Sequence, residues 1–497
     1  MGTQVTLKSN SLKEIRQIDP RLVSYNIEMT EVTGGTFWKA YTPGQVAGTE
    51  EVPPIRNIEE RAALMQYYEP IDAKNEKLRY LAGELGSAWV RVSGTWASKT
   101  YYDFDGAANG VSPEGYDNLM TKEQWLNLLD FVKAVDGKLL ISVANCEGLH
   151  KASEPWNASQ AEQIFALSKE YGVPVSAVEF MNEPNILATS GAPIGYTPAD
   201  FARDQDIFHA WVRANYPETL IVGPCSTGDP GSDNKQSGGI AAIMNSCTTE
   251  ELMQGTKEKL DIYSYHCYNG ISERLASIMP DMHWNPERTL SENYLAVVPV
   301  TAQNMIADRE KYCPGAQMWV TEAGDAGGGG NTWASTFMDV FRTLNELGSF
   351  PTITDGVIFH NTLASSDYGF LEHGTFNPRP NYFAALLWTK LMGTTVYDSE
   401  EPWREGAHVY AHSRKDQKEG VAYLIINNSK TDATTVNLPK DAEYYVLSAE
   451  YLRSPIMMLN NKPLILKEDG SLPEMAPQKA AAGTLELAPA TCTFIIL

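Results

Sequence analysis

The fold that the sequence predicts is a (β/α)8 TIM barrel of the α/β class with a C-terminal antiparallel β-sandwich. Three observations carry it: eight short apolar runs recur through most of the chain, helical patterns lie between them, and the helical patterns stop after Trp388. Strands alternating with helices argue for a parallel sheet, and eight such units suggest a closed barrel.

The eight runs are Val23 to Met29, Ala88 to Val92, Leu139 to Ala144, Ala177 to Met181, Leu220 to Gly223, Ile262 to Tyr265, Met318 to Thr321 and Gly356 to His360. Helical periodicity covers Lys122 to Val135, Ser159 to Tyr171, Pro198 to Asn215 and Thr332 to Leu347. Beyond Trp388, the segments Val409 to His412, Val421 to Asn427, Thr434 to Leu438, Tyr444 to Ala449 and Thr493 to Leu497 are short strands between turn-rich stretches, the texture of a sandwich. The opening Gln4 to Lys8 alternates like an edge strand. The expected division is therefore a catalytic barrel over 15–390 and a sandwich over 391–497, joined by an N-terminal strand within 1–14.

Composition bounds the function. The chain has 497 residues, 39 basic against 62 acidic side chains, and a formal charge of −23. That charge repels nucleic acid and anionic membranes, so neither is an expected partner. No cluster of Lys and Arg supplies a track for a densely sulfated polysaccharide. The six cysteines lack CxxC spacing and read as free thiols rather than a zinc site. No run of apolar residues is long enough to span a bilayer. The expected protein is soluble, and periplasmic or secreted if a signal peptide has been removed; the sequence leaves its compartment and oligomeric state open.

Two segments carry chemistry. Val178-Glu179-Phe180-Met181-Asn182-Glu183-Pro184-Asn185 is an apolar strand ending in Asn-Glu-Pro, which puts Glu183 at the catalytic rim of a barrel. Met318-Trp319-Val320-Thr321-Glu322-Ala323-Gly324 is a second short strand ending in a carboxylate. By order these are strands four and seven. Retaining glycoside hydrolysis needs two carboxyl groups about 5 Å apart, one to protonate the leaving oxygen and one to attack the anomeric carbon. Glu183 suits the acid/base role and Glu322 the nucleophile, with Arg91 or the tyrosines of strand six as hydrogen-bond donors to Glu322. Glu179 shares the inward parity of Glu183 but lies deeper, as a structural carboxylate. The run Gly327 to Gly330 lacks the Gly-Lys-Ser/Thr ending of a phosphate loop.

With Pro155 to Ser159, Tyr265-His266-Cys267-Tyr268-Asn269-Gly270, Asp367-Tyr368-Gly369-Phe370, Asn377 to Tyr382 and the tail from Tyr444 to Leu497, these segments resemble glycoside hydrolase family 79, the heparanase and β-glucuronidase family. The resemblance extends across most of the chain. It implies that backbone N–H groups near Gly328 and Gly329, with the Tyr368 hydroxyl, hold a uronate carboxylate. It further implies that His266 and Tyr268 lie beside the nucleophile and substrate hydroxyls, that Glu28 meets sugar hydroxyls, and that Asn182 contacts the 2-hydroxyl.

The aromatic loop Gly34 to Lys39 and the absence of basic heparin-contacting segments favour a pocket over a long cleft. The expected activity is thus exo-acting release of β-linked glucuronic acid from a glycan or glucuronide. Endo-cleavage of a weakly sulfated uronate polysaccharide, hydrolysis of a neutral β-glycoside, and a non-catalytic carbohydrate-binding barrel are the alternatives. No cofactor and no metal is implied.

Overall fold

The computed structural model describes residues 2–187, 189–227 and 246–497. Eight parallel strands close into a barrel: β1 (Val23–Glu28), β2 (Trp89–Ser93), β3 (Lys138–Ser142), β4 (Val175–Glu179), β5 (Leu220–Ser226), β6 (Ile262–Ile271), β7 (Met318–Gly327) and β8 (Gly356–His360). Each strand pairs with its sequence neighbour, and β8 returns to β1. Helices including α1 (Lys122–Ala134), α2 (Ser159–Tyr171), α3 (Pro198–Asn215) and α4 (Met338–Ile353) cover the outside. The last begins six residues later than its periodicity suggests, because Asn331 N–H donates to Asp325 Oδ2 at 2.9 Å and the chain turns through Thr332 to Phe337 first.

Alternation along the strands builds the barrel interior in layers. Trp89, Leu140, Ala177, Val222, Trp319 and Val357 form an apolar floor, with the Trp89 and Trp319 rings 4.7 Å apart between centroids. Two residues further along β2, β3 and β4, the same inward face carries Arg91, Ser142 and Glu179, all buried. An apolar floor under a polar layer is what lets the upper end of the barrel hold charge away from water.

Strands β6 and β7 run to Ile271 and Gly327, six residues beyond the apolar runs that announce them. Their pairing shifts register between Tyr265 and His266, and the β7–β8 pairing shifts between Val320 and Ala323. Bulges of this kind re-aim side chains next to active sites. Glu322 is therefore a residue inside a long bulged strand, not at a strand end.

A nine-stranded sheet and a three-stranded sheet follow the barrel. Val421–Asn427 explains how they attach: Ala422, Leu424 and Ile426 pack into the core shared with the barrel helices, while Val421, Tyr423 and Ile425 face the sandwich interior. Buried on both faces, this strand reads as an unbroken apolar run. Gly348 in α4 lets the sheet approach, since a Cβ there would lie 2.2 Å from the Tyr410 ring. The N-terminal Thr3–Thr6 pairs parallel with Thr434–Leu438, and Glu14–Gln17 pairs antiparallel with Met392–Tyr397. On these pairings we propose the two-domain division with the N-terminal segment in the sandwich, its contribution reaching Gln17. Among the described residues no cysteine is in a disulfide, and no helix is long and apolar enough to cross a membrane.

Candidate active site

Glu183 lies four residues beyond the end of β4, with φ of +44°, a left-handed conformation uncommon for a residue with a Cβ. The loop is held there by Asn185, whose side chain donates to Thr227 O at 2.7 Å and accepts from Thr227 N–H at 3.0 Å. Glu322 comes across the barrel from β7. One ligand atom from each of Glu183, His266 and Glu322 lies within 4.8 Å of the others. His266 Nδ1 is 2.9 Å from Glu183 Oε1 and 3.5 Å from Glu322 Oε2. Its Nε2 sits 3.5 Å from Arg91 Nη2, and because a guanidinium only donates, the imidazole proton is assigned to Nδ1 and points at Glu183.

Arg91 organises the layer beneath. It donates to Glu322 Oε1 at 3.0 Å, to Asn182 Oδ1 at 2.7 Å and, through Nε and Nη2, to Glu179 Oε1 at 3.0 and 2.6 Å. Burial would raise the Glu179 carboxyl, but Arg91, with Cys225 and Ser142 as further donors, outweighs it and holds Glu179 at about 2. Glu179 thus stays charged and anchors Arg91 from below. The other oxygen of Glu322 accepts from the Tyr268 hydroxyl at 2.7 Å. Burial, reinforced by the Glu322 charge, raises Tyr268 well above the usual phenol range, so it remains a donor. The same trio of Glu183, His266 and Glu322 could ligate a cation, but the Arg91 guanidinium against Glu322 opposes one.

Glu28, at the end of β1, is buried beside the cavity with Oε2 unpartnered among the described residues. Burial pushes its carboxyl well up, and the charges of Glu322 and Glu31 push it further. Glu31, one helical turn on, is raised to about 8 by burial despite accepting from Glu28 N–H at 2.7 Å. A carboxyl raised in the folded state contributes stability that is complete below its unfolded value of about 4.3 and is lost as pH rises through the folded value. For Glu31 the loss runs up to about pH 8. Thermal midpoints measured from mildly acid to mildly alkaline pH should therefore decline, and Glu31→Gln should flatten the decline; an unaltered slope would contradict this reading.

A cavity of about 1050 Å³ opens above these groups, lined by Glu28, Asn182, Glu183, His266, Tyr268, Glu322, Gly328 and Tyr368 among others. Phe37 and Trp38, from a hairpin of Gly35–Trp38 with Met65–Tyr68, form part of its wall. Gly328 and Gly329 have φ of +90° and +92°. Gly328 lines the cavity, whereas Gly329 backs onto Trp38 and Ser366 and is not part of the lining. The structure thus brings eight of the ten expected residues to the lining of one cavity, with Arg91 in the layer beneath them and Gly329 behind the lining.

Two contributors were not foreseen from sequence. Asn361, just after β8, donates to the hydroxyls of Tyr268 and Tyr368 at 2.9 and 3.0 Å. Arg274 stacks on Tyr41, 3.7 Å from the ring centroid, pairs with buried Asp367 and donates to Gly328 O and Gly330 O at 3.4 and 2.9 Å, bracing the glycine run from behind. Most of their partners lie tens to hundreds of residues away in the chain, so no local pattern marks them. Removing one partner of a buried pair costs about 3–5 kcal/mol. Arg274→Met is accordingly expected to lower the denaturant midpoint, an effect that an unchanged unfolding curve would refute.

No protein-family model matches the chain. It is 23% identical over 462 residues to heparanase-like protein 1 of Arabidopsis thaliana, covering 82% of this chain and 81% of that protein. It is 28% identical over 322 residues to baicalin-β-D-glucuronidase of Scutellaria baicalensis, covering 61% and 56% respectively. A solved 4-O-α-L-rhamnosyl-β-D-glucuronidase from Fusarium oxysporum aligns over 99% of this chain and 100% of its own with a TM-score of 0.65 and 13% identity, a likeness of fold.

Proposed function

We propose that this glycoside hydrolase, a homologue of the heparanase-like proteins and of a plant β-glucuronidase, releases β-linked glucuronic acid from the end of a glycan or glucuronide with retention of configuration. The observation that carries the reading is the proximity of Glu183 and Glu322, whose nearest carboxylate oxygens lie within 4.8 Å. Retaining glycosidases keep their two carboxyl groups about 5–5.5 Å apart, while inverting ones leave about 6.5–9.5 Å for a water.

In the first step Glu183 gives its proton to the glycosidic oxygen as the anomeric C–O bond breaks, and Glu322 attacks the anomeric carbon from the opposite face. In the second, Glu183 takes a proton from water as the water oxygen displaces Glu322 from the sugar. His266 donates to Glu183 Oε1 and leaves Oε2 to face the leaving group. Asn182 spends its oxygen on Arg91, so its NH2 is available to the sugar 2-hydroxyl. The uronate would meet the Gly328 N–H and the Tyr368 hydroxyl, and a neutral Glu28 spares it a repulsion. Strong hydrogen bonds to a charged acceptor need no basic side chain.

The charged residues of the cavity favour exo action on a neutral aglycone. Of its Lys and Arg side chains, Lys99 pairs with Asp117, Arg288 stacks on Trp284 and Arg61 stands apart from both, while Asp281, Glu183 and Glu322 add negative charge. A sulfated chain would find little to hold it. The test is turnover of 4-nitrophenyl β-D-glucuronide beside the matching glucoside and xyloside. Preference for the glucuronide is expected; preference for a neutral glycoside would overturn the uronate assignment, and activity confined to a longer uronate oligosaccharide would overturn exo action.

A further inference from the structure

The Asn361 amide sits between two phenols that serve different ends of the reaction. Its orientation is fixed: Oδ1 accepts from Asn26 Nδ2 at 3.0 Å, and the same Asn26 nitrogen donates to Thr321 O at 3.0 Å. The NH2 end therefore faces Tyr268 and Tyr368 and donates one hydrogen to each, at 2.9 and 3.0 Å. An amide turned the other way would set its NH2 against the NH2 of Asn26.

A phenol that accepts from Asn361 still has one proton to place. The Tyr268 proton goes to Glu322 Oε2 at 2.7 Å. The Tyr368 hydroxyl has no acceptor among the described residues, and Tyr368 lines the cavity. Burial raises both phenols well above their usual range, and the Glu322 charge adds to the rise at each, so both protons are retained. The backbone of Tyr368 is itself held, its carbonyl accepting from His360 Nε2 at 2.6 Å and Asn381 Nδ2 at 3.1 Å.

We propose that Asn361 is a positioning residue that directs two hydroxyl protons at once, the Tyr268 proton onto the nucleophile and the Tyr368 proton onto the substrate carboxylate, so that one amide couples nucleophile control to uronate recognition. The second half rests on the glucuronidase reading above. No bond to the substrate is made by Asn361 itself. Its effect is that neither phenol can turn its proton back toward β8.

The test is the split between kcat and KM on 4-nitrophenyl β-D-glucuronide in four variants. Tyr268→Phe should lower kcat with little change in KM, and Tyr368→Phe should raise KM with a smaller change in kcat. Asn361→Asp, nearly isosteric but only an acceptor when ionised, should draw both protons away and move both constants. Asn361→Leu, of similar volume and without charge, should do the same and so exclude simple repulsion. A hydrogen bond to a charged group is worth about 10- to 100-fold, which sets the expected size of each change. Asn361 variants that leave both constants as in the native protein, or that reproduce only one of the two tyrosine phenotypes, would overturn the proposal while leaving the glucuronidase reading intact. A native protein inactive on the glucuronide but active on the glucoside would instead overturn that reading and the uronate half of the role of Asn361.

Discussion

Glu322→Gln is expected to lose about 10⁴-fold or more in kcat, because the amide cannot form the glycosyl ester and the two-step route has no substitute nucleophile. The surroundings predict that the loss is chemical rather than structural. Gln keeps an oxygen for the Arg91 or Tyr268 donor, and Arg91 remains anchored on Glu179, which is charged at any working pH. The folded state should therefore persist, and binding of the product glucuronic acid with it. In Glu322→Ala, where truncation leaves space in place of the carboxylate, added azide should restore part of the turnover and give a glycosyl azide of inverted configuration. Absence of any loss in steady-state assays would remove Glu322 from the mechanism.

Glu183→Gln should show a second large effect that depends on the leaving group. General acid catalysis is worth about 10²–10⁴-fold, and most to an aglycone that leaves poorly as an anion. With an alkyl glucuronide the variant should lose nearly all activity. With a dinitrophenyl glucuronide the first step needs no proton, so the glycosyl-enzyme should form quickly and then persist, because the base for its hydrolysis is also missing. A rapid burst of dinitrophenol followed by slow turnover is the expected record. Equal losses on both substrates, with no burst, would argue that Glu183 has a purely structural part.

The fold was legible wherever side-chain chemistry and backbone state agree. The β-branched runs at Val23, Leu139, Leu220 and Gly356 are strands, and the capped segments at Lys122 and Pro198 are helices with Thr121 and Thr197 as N-caps. Legibility failed where function alters the pattern. Strands β6 and β7 continue through His266-Cys267-Tyr268-Asn269 and Glu322-Ala323-Gly324-Asp325, polar sequences that do not read as strand, because the barrel mouth buries them in hydrogen bonds rather than in apolar contacts.

The site shows the same division. The two glutamates stand in short motifs at places a barrel makes catalytic, so they could be picked out one by one. Asn361 and Arg274 stand in no motif. What they do is visible only when β1, β6 and β8 converge, since each acts through partners such as Asn26, Tyr268 and Gly328 that lie far away in the chain. Gly329 shows the converse: a glycine run suggests two equivalent donors, but successive peptide units face different ways, and Trp38 covers the second glycine.

The central claim is that Glu322 becomes covalently linked to a β-glucuronyl residue, and the most direct measurement is to trap that species. A 2-deoxy-2-fluoro-β-glucuronyl fluoride should inactivate the enzyme stoichiometrically, and mass spectrometry of the digested protein should find the sugar on the peptide carrying Glu322. Turnover without an adduct, release of the α-anomer first from a β-glucuronide, or an adduct on another carboxylate would contradict the account.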